Sequence, residues 1–323
     1  MHLSWGGTAS VSSGWEDGQM LLGRVARMYY ELGMTHQEIA TALGLSRIRV
    51  TRLLADARAQ GIVEITVHSD EPLFADEQHA LTDRFGLSQV WLSPSIGDQQ
   101  KDARSFATVG AEAVESVTDG ETVVALSLSS AVAAAVAAFG DHPRPGAEFV
   151  PLGGSTGGRA VASNPHELAL QLAARTGGQA FHVPAPLVAA TQEAARLALS
   201  DPSVRAVMTR AAEADVMISG LGGMSLGEGL LLPSLDEEVR NDLTKRGAVG
   251  DLAGRYFDRS ARPIDSDLDR RVVSLTLDAL RRIPRRLVIA RGPAKVEPLR
   301  AALEGGLATA LVTDVETARV LLR

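Results

Sequence analysis

From Gln19 to Leu32 the apolar residues Leu21, Leu22, Val25, Met28, Tyr29 and Leu32 recur three and four positions apart, the spacing of one helix face. Gly33 ends that helix. Thr35 with Glu38 three residues on has the form of a capping box and opens a second, short helix that runs to Leu43 and stops at Gly44. Ser46 caps a third helix running to about Gln60, which Gly61 ends. A short strand is expected over Ile62–Val67. The polar stretch from Ser69 to about Asp76, with Pro72, is a linker or hinge.

Beyond the linker the pattern becomes an alternation of short apolar runs and amphipathic segments. The runs are Val90–Leu92, Thr122–Leu126, Glu148–Leu152, Val216–Ser219, Leu287–Ala290 and Ala308–Val312. Helical segments lie at Ala103–Val117, Ala131–Phe139, Pro165–Thr176, Gln192–Leu199, Ser203–Glu213, Asp267–Leu280, Val296–Glu304 and Val315–Leu322. Strands alternating with helices give an α/β fold with an open, mostly parallel sheet covered on both faces. Ligands of such sheets sit outside the carboxyl ends of the strands. The expected organisation is a disordered tail over 1–18, a helix-turn-helix domain over 19–68, a linker over 69–76 and an effector-binding domain over 77–323.

Composition changes this picture in three places. The 323 residues contain no cysteine, which excludes disulfides, thiolate metal sites and cysteine nucleophiles and fits a reducing cytoplasm. The net charge of −7 argues against nucleic acid only until it is located. Residues 1–68 balance six Lys/Arg against six Asp/Glu, so the whole excess belongs to the rest of the chain. Attraction to phosphate is local, so an acidic second domain does not forbid DNA binding. The uncharged stretch Thr122–Phe139 approaches the length of a membrane span, but its serines and small residues divide it into a buried strand and a packing helix. No membrane partner is expected. Residues 1–18, rich in Gly, Ser and Thr, lack the basic start of a signal peptide.

The segment from Thr35 to Leu54 carries the first constellation. Ile39, Ala40, Leu43, Leu45 and Val50 fit inward positions, and Ala40 is small where two helices approach. Gly44 permits a left-handed turn that a side chain resists. The residues after Ser46 are those that enter a major groove. Arg47 and Arg49 have the donors for guanine or phosphate, as do Thr51 and Arg52 one turn on. Thr35 and Gln37 are placed to touch the DNA backbone. The alternative, a packing hairpin with a solvated face, leaves three arginines in six positions unexplained.

Three loops that follow expected strands form the second constellation. Ser127-Leu128-Ser129-Ser130 opens a helix, where amides and hydroxyls suit an anion. Gly153-Gly154-Ser155-Thr156-Gly157-Gly158 ends beside Arg159, and Gly220-Leu221-Gly222-Gly223 follows a third strand. Glycine after a strand commonly serves only a tight turn; three such loops at strand ends point to one cavity. Asp251 and Arg255 add a carboxylate for hydroxyls and a cation, or else form a structural ion pair.

The order of these features resembles the SorC family of sugar-binding transcription regulators. The resemblance rests on Ser46 with Val50-Thr51-Arg52-Leu53-Leu54, Gly61-Ile62-Val63-Glu64-Ile65, Pro184-Ala185-Pro186, Ala214-Asp215-Val216 leading to Gly220-Leu221-Gly222, Gly247-Ala248-Val249-Gly250-Asp251 with Arg255-Tyr256-Phe257-Asp258, and Thr313-Asp314 with Thr317-Ala318. It covers nearly all of the chain after Gln19. It implies an effector domain similar to sugar-phosphate isomerases and deaminases, a phosphorylated sugar or related effector, a double-stranded DNA operator, and an oligomer of two or four chains. It adds Pro186 to the pocket, with His182 nearby, and Lys295, which stands where the family has a lysine after a double glycine. Here Arg291-Gly292-Pro293 replaces that double glycine. Ser127-Leu128-Ser129-Ser130-Ala131 replaces a Ser-Trp-Gly-x-Thr loop. These departures reshape a phosphate cradle and leave open an unphosphorylated sugar or a polyol.

Other classes fare less well. A sugar-phosphate isomerase or deaminase with an added DNA-binding domain needs an acid and a base in one pocket. Asp215, Glu228 and Asp251 are scattered carboxylates without a compact motif. A dinucleotide-binding oxidoreductase is suggested by Gly220–Gly223, but position 225 is Ser where the spacing requires Gly. A purely structural oligomer leaves the arginines unexplained. No catalytic residue, cofactor or metal is expected.

Overall fold

A computed structural model describes residues 13–63, 73–156, 163–225 and 230–323. The first 12 residues of the expected tail, the expected strand from Glu64 on, linker residues 69–72, Gly157, Gly158, Arg159 and Glu228 lie outside the described residues. Two compact units are present, dividing between residues 70 and 71.

The first unit is three helices: α1 (Ser13–Tyr30), α2 (His36–Leu43) and α3 (Arg47–Ala59). Helix α1 starts before the expected Gln19, inside what reads as tail. Val25, Ile39, Ala40, Val50 and Leu54 form its small core. Ile62 and Val63 are not extended. Their amides fold back onto the Ala57 carbonyl at 2.9 and 3.2 Å, and Val63 packs on Leu22 and Ala57.

The second unit runs in chain order through α4 (Ala75–Phe85), β1 (Gln89–Ser93), α5 (Gln99–Val117), β2 (Val123–Leu126), α6 (Ser130–Ala138), β3 (Glu148–Pro151), α7 (Pro165–Thr176) and β4 (Gln179–Ala180). It continues with α8 (Gln192–Ser200), α9 (Pro202–Ala212), β5 (Val216–Gly220), β6 (Gly222–Gly223), α10 (Glu237–Lys245), β7 (Gly250–Leu252) and β8 (Arg255–Phe257). It closes with α11 (Asp267–Arg271), α12 (Leu277–Arg282), β9 (Arg285–Ile289), α13 (Val296–Glu304), β10 (Ala310–Asp314) and α14 (Val315–Leu321).

Seven parallel strands form one sheet in the order β1-β10-β9-β5-β2-β3-β4. Strands β2, β5 and β10 are buried on both faces, as in α/β sheets. Along β2, Val123 and Ala125 enter one core while Val124 and Leu126 enter the other. The second core holds Phe106, Val114, Val132, Val136, Leu168 and Leu172 from α5, α6 and α7. The first holds Leu81, Met208, Leu280, Leu299 and Leu321 from α4, α9, α12, α13 and α14. A Cβ on Gly110 of α5 would lie 2.9 Å from Ala135 Cβ, so this glycine sets how closely α5 and α6 approach.

The chain proceeds from β2 outward to β3 and β4 on one side, then returns to lay β5, β9 and β10 on the other. The order therefore reverses between β2 and β5, the switch point at which a crevice opens beyond the carboxyl ends of the strands. Strand β1 lies at the far edge, pairing among the described strands only with β10, from Gln89↔Ala310 to Ser93↔Asp314. Helix α4 is bound to the end of the chain: Arg319 pairs with Glu77 at 3.0 Å, and the Arg84 guanidinium donates to the Leu322 carbonyl.

Several elements differ from expectation, and β4 and α10 are among those not expected. Helix α4 was not expected because its sequence is mostly polar; only Leu81 is fully buried. A small antiparallel sheet, β6-β7-β8, was not expected because its strands are two or three residues long. The single helix expected over Asp267–Leu280 is broken into α11 and α12. Between them Val273 donates to the Leu187 carbonyl at 2.8 Å and Leu275 to the Leu152 carbonyl at 3.1 Å, so tertiary pairing outweighs helical periodicity.

Candidate functional site

In the first unit the local chemistry fixes a protruding helix. The Thr35 hydroxyl accepts from the Glu38 amide at 3.3 Å, while the Glu38 carboxylate accepts from the Thr35 amide at 2.8 Å: the capping box forms. Gly44 adopts φ 65, the left-handed corner, and its amide bonds back to α2. Ser46 then accepts from the Arg49 amide at 3.2 Å and starts α3. Arg47, Arg49 and Arg52 are exposed, as are Thr35, Gln37, Ser46 and Thr51. The Thr51 hydroxyl is engaged by the Arg47 carbonyl at 3.1 Å and by His36 Nδ1 at 3.0 Å. This ties the start of α3 to the start of α2. The result is two helices in fixed register with three guanidiniums on the outer part of the second.

In the second unit a cavity of about 390 Å³ opens at the switch point. Ser129 and Ser130 enter it from the end of β2, Gly220, Leu221 and Gly222 from β5, and Ile289, Ala290 and Arg291 from β9. Asp251 on β7 and Lys295 beyond β9 complete its polar wall; Leu128, Leu187, Leu231 and Phe106 supply apolar surface. Ser129 is the N-cap of α6, its hydroxyl accepting from the Val132 amide at 3.1 Å. The amides of Ser130 and Ala131, in the first turn, have no intrahelical acceptor.

Two glycines make room for these side chains. A Cβ on Gly220 would meet Ser129 Oγ at 2.1 Å, and one on Gly222 would meet Asp251 Oδ1 at 1.7 Å. The Asp251 carboxylate also accepts from the Gly254 amide at 3.1 Å. Burial raises its carboxyl to about 6; the Gly254 hydrogen bond and the Lys295 charge pull in the other direction. The Arg291 guanidinium lies over the Phe106 ring, 5.0 Å from its centre, a cation–π contact between two residues that line the cavity.

Of the residues expected to contact an effector, Ser129, Ser130, Gly220, Gly222, Asp251 and Lys295 are thus brought together. Ser155, Thr156 and Pro186 line a neighbouring cleft of about 270 Å³ with Arg271. Thr156 is held there by Asn164, which accepts from its amide at 3.0 Å. Four others do not line the cavity. Ser127 is buried behind it, hydrogen-bonded to Ser219 at 2.7 Å. Gly153 bridges to Ser274, and a Cβ on Gly154 would lie 2.4 Å from the Pro186 backbone, so these two glycines serve packing.

Arg255 is the clearest correction. It does not pair with Asp251 or face the cavity. It is 7% exposed and donates to the carbonyls of Leu275 at 3.1 Å, Val272 at 3.1 Å, Ser274 at 2.7 Å and Asp269 at 2.5 Å, and to the Asp269 carboxylate at 3.0 Å. It holds the non-helical segment between α11 and α12. His182 is exposed, and its ring lies tilted against that of His166, centroids 4.3 Å apart, rather than lining the cavity. Asp215 is structural: its carboxylate accepts from the Val123 amide at 2.9 Å. Gly220–Gly223 leads into the β6–β7 ladder and not into a helix, so it lacks the turn that a dinucleotide fingerprint needs. Arg291, noted in the sequence only as a departure from a double glycine, and Phe106 join the cavity. Phe106, in the middle of a helix, carries no signal in the sequence.

No helix among the described residues is long and apolar enough to cross a membrane, and no cluster of metal-ligating side chains occurs among them. Residues 73–323 match the family model described as "Putative sugar-binding domain", and residues 18–71 match the Crp-like helix-turn-helix domain. The chain is 29% identical over 307 residues to the erythritol catabolism regulatory protein EryD of Brucella abortus, covering 93% of this chain and 95% of that one. It is 28% identical to the transcriptional regulator LsrR of Escherichia coli, covering 94% of each. The full-length sorbitol operon regulator SorC from Klebsiella pneumoniae superimposes with a TM-score of 0.76 at 25% identity, over 94% of this chain and 98% of that one.

Proposed function

The chain belongs to the SorC family of sugar-binding transcriptional regulators, and from that premise we propose that its cavity takes a small polyol, sugar or sugar phosphate whose binding alters the hold of α3 on a DNA operator. It is a DNA-binding regulator of transcription and not a sugar-phosphate enzyme; its relatives are named regulators.

The observation that carries the effector reading is the convergence of unlike polar groups on one cavity at the switch point. The Asp251 carboxylate suits hydroxyl donors. Lys295, Arg291 and the first-turn amides of α6 suit an anionic or electron-rich end. Leu187, Leu231 and Phe106 close over the carbon chain. At about 390 Å³ the cavity falls within the range of small-molecule sites. Two similar regulators are named for erythritol catabolism and the sorbitol operon, which favours a polyol or its phosphate. The neighbouring cleft at Ser155, Thr156 and Pro186 extends the same surface.

Residues 19–68 serve as the DNA-binding domain and 77–323 as the effector domain, joined by the linker at 69–76. Two chains present two α3 helices to two operator half-sites, in a dimer or tetramer working in the cytoplasm. The effector changes DNA affinity only as far as it binds one state of that oligomer better than the other.

The test is a thermal-shift screen of the full chain against four- to six-carbon polyols, the matching sugars and their phosphates. A stabilising compound should lose its effect in Asp251→Asn and Lys295→Met and should change retention of selected duplex DNA. A compound that stabilises both variants as well as the native chain would place its site elsewhere. Steady turnover of any sugar phosphate would restore the enzyme reading.

A further inference from the structure

Ile48 is 81% exposed, more than any other large hydrophobic side chain among the described residues. It follows the first residue of α3, between Arg47 and Arg49. Nothing in folding calls for it. It belongs to no hydrophobic cluster of the first unit, whose core is Val25, Ile39, Ala40, Val50 and Leu54. As a β-branched residue it is also a poorer helix former than the straight-chain alternatives.

Its direction follows from the helix. At about 100° per residue, the buried Val50 and Ala57 lie about 160–180° from Ile48 around α3. Ile48 therefore marks the middle of the outward face. Ala55 and Arg52 lie within about 40° of it and Thr51 within about 60°, while Arg47 and Arg49 stand about 100° to either side. The outward ridge is thus Ile48, Arg52 and Ala55, with a guanidinium on each flank. A major groove has this profile in reverse. Its floor carries thymine methyl groups among polar base edges, and its two walls are phosphate. The β-branched side chain offers the floor only an apolar surface, and of the four bases only thymine answers it with a methyl group.

We infer that Ile48 reads the C5-methyl of a thymine in each operator half-site, with Arg52 reaching the neighbouring base edge and Arg47 and Arg49 gripping the two phosphate walls. The inference rests on the DNA-binding reading of α3 and adds a specificity residue to it. Ile48→Ser removes the apolar contact without touching the core, because the side chain is exposed and belongs to neither hydrophobic cluster of the described residues in this unit.

The experiment selects sites from randomised duplex DNA with the full-length protein and with Ile48→Ser. Each thymine of the native consensus is then replaced by deoxyuridine, which removes only the methyl group. One thymine per half-site should emerge whose replacement weakens native binding about fourfold per half-site, the value of one buried methyl. Ile48→Ser should bind the thymine and deoxyuridine duplexes equally and select no thymine there. Ile48→Val should keep the preference. If the native protein selects a consensus but Ile48→Ser selects the same one, or if deoxyuridine weakens both proteins alike, the thymine contact is wrong and α3 remains a DNA-reading helix. If the native protein enriches no sequence at all, the DNA-binding reading fails and takes this one with it.

Discussion

Gly222 and Asp251 are cross-strand partners in the β6–β7 ladder, and the Asp251 carboxylate fills the space that a side chain on Gly222 would need. The carboxylate enters the cavity because its partner has no Cβ. Gly222→Ala should displace Asp251 and strain the hairpin, destabilising the second unit by about 1–3 kcal/mol. Effector stabilisation in a thermal-shift assay should vanish while DNA selection by α3 persists. An unchanged effector response in that variant would mean that Asp251 does not contact the ligand.

The same carboxylate imposes a pH dependence. Burial raises it to about 6, against ~4 in an unfolded chain. Between those values the native state holds a proton that the unfolded state has released. The contribution of this group to stability is therefore full below pH ~4 and is lost as the pH rises through 6. Asp251→Asn keeps an acceptor for the Gly254 amide and removes the slope. At pH 8 it should be more stable than the native chain by on the order of 2 kcal/mol. That is less than the full linkage value, because the group faces a cavity open to water. At pH 4 the difference should disappear. Urea titrations at both pH values measure it; the same difference at each would contradict the assignment.

Arg255 is expected to be a stability residue. Its guanidinium gathers four carbonyls and one carboxylate around the segment between α11 and α12. Arg255→Met strands those acceptors and should cost about 3–5 kcal/mol. Arg255→Lys should recover little of it, since an ammonium cannot reproduce the planar fork. Chemical denaturation of the variants gives the answer, and a loss below about 1 kcal/mol would show the network to be dispensable.

Gly44 is a conformational requirement and not a packing one. No atom lies within 4 Å of where its Cβ would stand, yet its φ is 65. Gly44→Ala should cost about 1 kcal/mol, the penalty of a left-handed alanine. Hydrogen exchange at the Val50 amide should then speed up about fivefold, the ratio equivalent to that energy. A much larger effect would point to a clash that the surroundings do not contain.

Where local chemistry decides, the sequence was readable. The capping box at Thr35, the serine at 46 and the glycine at 44 bound α2 and α3 as expected, and Pro165 and Gly177 bound α7. The buried strands of the parallel sheet announce themselves as apolar runs. Elements held by partners distant in sequence were not readable. Helix α4 has one fully buried side chain and depends on α14 and β1 for its place. The break between α11 and α12 is made by carbonyls of Leu152 and Leu187 and by Arg255, none of which the local period reveals. The site divides the same way. Ser129, Ser130, Gly220 and Gly222 follow from looking at strand ends, where loops gather, Asp251 from its carboxylate, and Lys295 from the family resemblance. Arg255 looked like a ligand group because a sequence shows its charge and not the carbonyls around it.

The pairing of β1 with β10 alone has a consequence for synthesis on the ribosome. Val90 and Leu92 are made early, but the strand that receives them, Ala310–Asp314, comes roughly 200 residues later. At ~5–20 residues per second, β1 waits on the order of 10–40 seconds without a neighbour. The three helices of the first unit can already be complete. A nascent chain thus carries a finished DNA-reading head on a body that still shows an open apolar edge, and chaperone capture should concentrate in that interval.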